Sequence, residues 1–215
     1  MANHVYFNVD FVGVSEELWN KTLISEPVTK KGWDDSNYTI NELKELHKLP
    51  FFDHIEKEYE DGDWLKDSYD FYVNNIGAKW CNIDSWEETS LTGYSAWSPP
   101  IELVRNMVKY FQEHSVEAIS ARITYEDEFR NFIGINEFYT EFDGEIIVHD
   151  DENYIDCEEL QDMLNFRLSE LTGQDIDVSE REMDDEIPTL SGGVVVPQEF
   201  ADDMVYNFWE TGDLT

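Results

Sequence analysis

The side chains that could do covalent chemistry in this chain are few and scattered. It has two cysteines, Cys81 and Cys157, and five histidines. Nucleophilic catalysis needs a nucleophile, a base and an orienting group in mutual contact. Cys81 lies in a β-prone run between aromatics and reads as a small core residue. Cys157 falls at a predicted helix start, where the helix dipole could favour its thiolate, but packing in the cap region is the expected reading. His47 and His54 would share a face of a straight helix and could hold a divalent cation with Asp53 or Glu58. Pro50 lies between them, however, and two surface histidines is the simpler reading. Asp150-Asp151-Glu152-Asn153 is similar to the start of a calcium loop but lacks the glycine such loops need, so it reads as a solvated turn. No GxSxG, GxGxxG, P-loop or HExxH pattern occurs. We therefore expect no enzyme, no catalytic set, no bound cofactor and no metal site.

Carboxylates are the chemistry this chain has in excess. It carries 49 acids against 14 bases, a formal net charge of −35. From Glu141 onward there are 23 acids and two bases, Arg167 and Arg181. Such a balance repels nucleic acid and anionic membranes and favours basic partners, divalent cations or plain solubility. Duplex DNA shows one negative charge about every 1.7 Å of its axis. A folded protein with carboxylates fixed on helices can present a similar field to a basic cleft. The expected partner-binding residues are Asp150, Asp151, Glu152, Asp156, Glu158, Glu159, Asp162, Asp184, Asp185, Glu186, Asp202 and Asp203. The expected function is that of a non-catalytic accessory protein, a nucleic-acid mimic that inhibits by occupying the nucleic-acid-binding surface of a host or defence protein. The rivals are a small-ligand binder or enzyme with a pocket near Trp80, Trp86 and Trp97, and a structural accessory whose acids only solvate. Those tryptophans could also be a stacking platform, but Lys79 is the one base close to them in sequence.

The elements that position these residues are legible from periodicity. Val5, Phe7, Val9 and Phe11 alternate as a half-buried strand, and Ser15 caps a short helix that turns Leu18 and Trp19 inward. Residues 26–66 read as a helical insertion, with a capping box at Thr39 and leucines 43, 46 and 49. A helix from about Tyr69 ends at Gly77, and Trp80–Trp86 forms a strand with Cys81, Ile83 and Ser85 on one face. Ser98-Pro99-Pro100 supplies a cap and a helix start before Ile101, Val104, Met107, Val108 and Phe111. Ala118–Tyr125 and Asn131–Phe142 are strands, and Asp143-Gly144 is a hairpin turn into Ile146–Val148. Asp156 caps a helix bearing Leu160, Met163, Leu164, Leu168 and Leu171 that stops at Gly173; Asp175–Pro188 is an acidic loop. Ser191–Val196 adds a short edge strand, and Pro197 opens a last helix with Phe200, Met204, Val205, Phe208 and Trp209 inward.

The runs NNIGAKW (Asn74 to Trp80) and TGYSAWSPPIELVRNM (Thr92 to Met107) resemble the YubB-like (Api-type) ferredoxin-fold family carried by phages, prophages and plasmids. Its members show N-W-G-T-K-W followed by T-A-W-S-P-P-I. Ile76 and Ala78 stand here where the family has Trp and Thr, and Ala96 to Pro100 is intact. The resemblance runs from near Tyr69 to about Phe142. It implies a βαββαβ topology and a mobile-element setting, with no catalytic residues. The name denotes topology only, because two cysteines cannot hold a four-cysteine cluster. The expected fold is α+β: a ferredoxin-like antiparallel sheet with helices on one face over residues 1–149, and an acidic helical extension over 150–215. Trp80 and Trp97 are expected to be buried against the helix after Pro100. No membrane span or secretory signal is read, the two thiols look reduced, and a cytoplasmic location is expected.

Overall fold

In the computed structural model, residues 3–22, 73–142 and 145–214 are described, apart from the Trp86 side chain. The expected insertion at 26–66, with His47 and His54, and the Asp143-Gly144 turn lie outside those residues. Strand β1 (His4–Val12) buries Val5, Phe7, Val9 and Phe11 and turns Tyr6, Asp10 and Val12 outward, as its alternation dictates. Helix α1 (Glu16–Thr22) starts where the Ser15 hydroxyl accepts from the Leu18 N–H at 3.2 Å. It sets Trp19 against Phe11 and Phe111, with ring centroids 5.6 and 6.0 Å away.

Strands β2 (Cys81–Glu87) and β3 (Ser90–Ala96) form a hairpin whose two linking residues, Glu88 and Thr89, both have positive φ, as a type I′ turn requires. The sheet closes tightly there: a Cβ on Gly93 would lie 2.1 Å from the Asn82 carbonyl oxygen. Helix α2 (Ile101–Glu113), strand β4 (Ser120–Asp127) and the long strands β5 (Phe132–Phe142) and β6 (Ile146–Asp156) follow. Together the strands make a six-stranded antiparallel sheet in the order β2-β3-β1-β4-β5-β6. Among the described residues, no helix is long and apolar enough to cross a membrane.

The chain falls into two compact units: residues 1–129 with 136–152, and residues 130–135 with 153–215. The first has a core of β1, β3 and β4 side chains beneath Trp19, Leu103, Val104, Met107, Val108 and Phe111. The second contains helix α3 (Cys157–Thr172), the short strands β7 (Ile187–Pro188) and β8 (Val194–Val195), and helix α4 (Pro197–Thr211). Its core joins Ile133, Ile135 and Ile155 to Leu160, Leu164, Leu168, Met204, Val205 and Phe208. Asp156 caps α3 by accepting from the Glu159 N–H at 2.9 Å, and Gly173 at φ 66° ends it. The acidic stretch after Gly173 is also held: the Asn165 side-chain oxygen accepts from the Val178 N–H at 2.9 Å, and Ile176, Val178 and Ile187 are buried.

Five expectations need correction. Trp97 is 61% exposed, at φ 69°, and Trp80 is only half-buried. The AWSPP segment couples β3 to α2 through the backbone instead. The Ser95 hydroxyl donates to the Ser98 carbonyl at 2.6 Å, and the left-handed turn at Trp97 carries its indole out of the core. Ser98 does not cap α2, because its hydroxyl donates to the Gly77 carbonyl at 2.7 Å. The Ile76 carbonyl serves the helix start by accepting from the Leu103 N–H at 3.1 Å. The pairing shifts between Ile83 and Ser85, which brings Ser85 opposite Thr92 and breaks the expected alternation of β2. Asp150 to Asn153 is strand rather than turn, so the expected boundary at 150 falls inside β6. Leu171 is 42% exposed, because the buried stripe of α3 is Leu160, Leu164, Leu168 and Thr172.

Candidate functional site

The two cysteines have opposite surroundings. Burial of Cys81 pushes its thiol pKa far up, with Asp84 adding to the effect, so it is no nucleophile at neutral pH. Cys157 is exposed as the first residue of α3, which overturns the expectation that it packs at the cap. In the first unit, Arg105 on α2 donates to an Asp150 side-chain oxygen at 2.6 Å and to the Val148 carbonyl at 3.3 Å. Its Nε lies 3.3 Å from Glu102. Desolvation alone would lower the guanidinium pKa, and the carboxylates of Asp150 and Glu102 more than reverse that. Asn136 donates to Asp150 at 3.4 Å. The buried Tyr125 hydroxyl lies 3.2 Å from both the Asn136 side-chain oxygen and Glu152. Each polar atom of this network answers another, which ties β6 to α2 and β4. Of the expected partner contacts, half-buried Asp150 and exposed Glu152 take part in this network, and Asp151 is exposed on β6.

The remaining expected residues sit in the second unit, and the structure brings four of them together. Asp156, Glu158, Glu159 and Asp162 rim a cleft of about 560 Å³ along α3 whose other lining is Met163, Phe166 and Arg167. The helix period explains the grouping. Leu160, Leu164 and Leu168 point into the core, so residues 158, 159, 162 and 166 emerge on the outer surface. Phe166 is 56% exposed, and the Arg167 guanidinium lies 6.0 Å from its ring centroid. Arg167 also lines a second cleft of about 350 Å³ with Leu171, Phe200, Met204 and Leu214, rimmed by Glu170 and Asp203. Apolar floor and carboxylate rim thus alternate along one face of the unit. Asp202 is engaged on α4 by Arg130 and by Gln198. Asp184, Asp185 and Glu186 are exposed in the acidic stretch, outside both clefts.

A metal would have one grouping to consider among the described residues. Glu182, Asp184 and Asp185 can bring one oxygen each within 4.8 Å of one another, and all three are exposed. An open carboxylate triad holds a hard cation only weakly, because water supplies most of the coordination. Sequence reasoning missed Phe166 and Arg167. The available signal was a phenylalanine two residues beyond the buried Leu164 and off the Leu160–Leu164–Leu168 stripe, where an apolar side chain has no core to enter. Comparison with known proteins found no match to this chain among family models, curated proteins or solved structures.

Proposed function

We propose that this protein is a non-catalytic binder whose second unit occupies a basic surface of another protein, one that otherwise holds nucleic acid. The observation that carries this reading is the α3 cleft, where carboxylates and exposed apolar side chains share a rigid, capped helix. The unit has 17 acids and three arginines, Arg130, Arg167 and Arg181. Arg130 and Arg167 already face acids of the same unit, Asp202 and Glu170. The surplus charge steers a cationic partner and sets a strong salt dependence. Phe166 and Met163 supply contact area that a polyanion lacks, which favours a protein surface over free counter-ions.

The same reading extends to fold and setting. The order β2-β3-β1-β4, with α1 and α2 in the crossovers, follows the βαββαβ pattern of ferredoxin-like folds. We read the sheet as that unit lengthened by β5 and β6. The AWSPP resemblance supports a mobile-element accessory working in a host cytoplasm against a host or defence protein.

The test is capture from host lysate on the intact protein, washed at low and high salt and challenged with duplex DNA. A nucleic-acid-binding partner that leaves at high salt and is displaced by DNA is the expected result. Changing Glu158→Gln, Glu159→Gln and Asp162→Asn together, with the cap Asp156 retained, should slow association about tenfold. A partner held at molar salt, unmoved by DNA, or bound equally by the triple variant would sink the proposal.

A further inference from the structure

Beyond the α3 cleft, the second unit has an apolar groove where α3 packs on α4. Leu171, Phe200, Met204 and Leu214 line it, with exposed Asp203 and Asn207 at its rim. Met204 and Leu214 belong to the buried core of the unit, whereas Leu171 is exposed. The apolar surface continues past Leu171. The Leu190 N–H donates to the Leu171 carbonyl at 2.9 Å, and the exposed Leu190 side chain lies close to Gly173 at the end of α3. Arg167 lines both this groove and the α3 cleft, so the two are neighbours along α3. Phe166, Leu171 and Leu190 thus form an apolar strip that folding of the unit leaves uncovered.

The rim selects what covers this strip. Among the described residues, no side-chain hydrogen bond or ion pair engages Glu158, Glu159, Asp162 or Asp203. The cation between the clefts, Arg167, lies 3.5 Å from Glu170. A phosphate-bearing ligand or an anionic membrane would be repelled by the open acids. A segment with one apolar and one cationic side gains twice, from burial and from those acids. The groove walls are helices whose inner amides are paired within each helix. An extended peptide would therefore lay its own N–H and C=O groups on apolar side chains without partners. A helix pairs its own backbone and offers side chains alone. The spacing also fits. At 1.5 Å per residue, Met163 and Phe166 stand about 10 Å along α3 from Leu171, the distance from i to i+7 on a partner helix.

We propose that the α3–α4 groove and the α3 cleft together seat one basic amphipathic helix of a partner protein. Its apolar i and i+7 side chains enter the two clefts, and its Lys and Arg residues face Asp203 and the acids at 158, 159 and 162. This rests on the proposed function for the basic partner and adds the element by which that partner is held. The probe is a synthetic peptide with leucines on one helical face and lysines on the other, titrated into the full chain at physiological salt. NMR follows the backbone amides, with the isotope label first on the protein and then on the peptide. Saturable shifts on α3 and α4, with helix forming in the bound peptide, are the expected result. Leu171→Ser and Asp203→Asn should each weaken binding about fivefold. A scrambled peptide of the same composition, its leucines no longer on one face, should bind at least about tenfold more weakly. Should Leu171→Ser misfold, Asp203→Asn and the scrambled peptide carry the comparison. Equal binding of the scrambled peptide, or a bound peptide that stays non-helical, would overturn this inference and leave the proposed function standing. The proposed function fails on a different result, a lysate partner insensitive to salt and DNA.

Discussion

The two units differ in how many of their carboxylates the fold engages. In the first, several acids meet basic side chains: Asp150 and Glu102 hold Arg105, Glu137 faces Arg122, and Glu128 meets the His4 ring. Several of these pairs join strands or a strand to a helix, so the charge contributes to the fold. In the second unit, 17 acids face three arginines, and residues 158, 159, 162, 184, 185, 186 and 203 are exposed. Its folding rests on apolar stripes and caps, which would serve equally well under neutral side chains. A carboxylate that the fold does not need is free to be selected for a partner. That is the physical basis for proposing α3 as the working surface rather than the half-buried network of Arg105.

If the units differ in charge use but not in core quality, aromatic truncation should hurt both. Phe111→Ala in the first and Phe208→Ala in the second should each cost about 3–5 kcal/mol in denaturant titrations. Both side chains are fully buried. A loss below about 1 kcal/mol at Phe208 would mean that the second unit is not held by this core, and the comparison would fail.

The next effect is specific to the first unit. The Cys81 thiol has a folded pKa raised by burial, so its contribution is fully present below the unfolded value of about 8.5 and is lost as pH rises above it. In that range the unfolded chain releases a proton that the folded chain retains. Stability should then fall by about 1.4 kcal/mol per pH unit from this group. Denaturant titrations between pH 8.5 and 10 should show a slope shallower by that amount in Cys81→Ala. Identical slopes would place the thiol in contact with water.

Charge neutralisation separates the units directly. Asp150→Asn should cost about 1–2 kcal/mol, a figure held down by the partial exposure of the pair with Arg105. Glu158→Gln with Asp162→Asn should change stability by less than about 0.5 kcal/mol, because these groups are exposed and serve no cap. Equal losses at the two sites would remove the distinction between structural and surplus acids. Smallest of all is Trp97, whose positive φ costs an ordinary residue about 1 kcal/mol. Trp97→Gly should leave stability within about 0.5 kcal/mol of the parent, since lost contact with Lys79 is offset by relief of that backbone. A loss above about 3 kcal/mol would show that the indole packs as a core residue after all.

What the sequence determined by itself was whatever depends on neighbours within a turn or a pleat. The alternation of β1 and β4, the cap at Asp156, the stop at Gly173 and the inward stripe of α4 all follow from periods of two and three to four residues. The excess of carboxylate after Glu141 was likewise plain from composition, as was its display on folded elements. The tertiary structure decided everything that pairs distant residues. Asp150 became structural because β6 brings it to Arg105, 45 positions earlier in the chain. Trp97 left the core because the Ser95 and Ser98 hydroxyls and the Gly77 carbonyl took over the joint it was expected to fill. The groove of Leu171, Phe200, Met204 and Leu214 exists only because α3 packs on α4. Local preference acts along the chain, whereas a site of this kind is assembled across it, where packing and register set which side chains become neighbours.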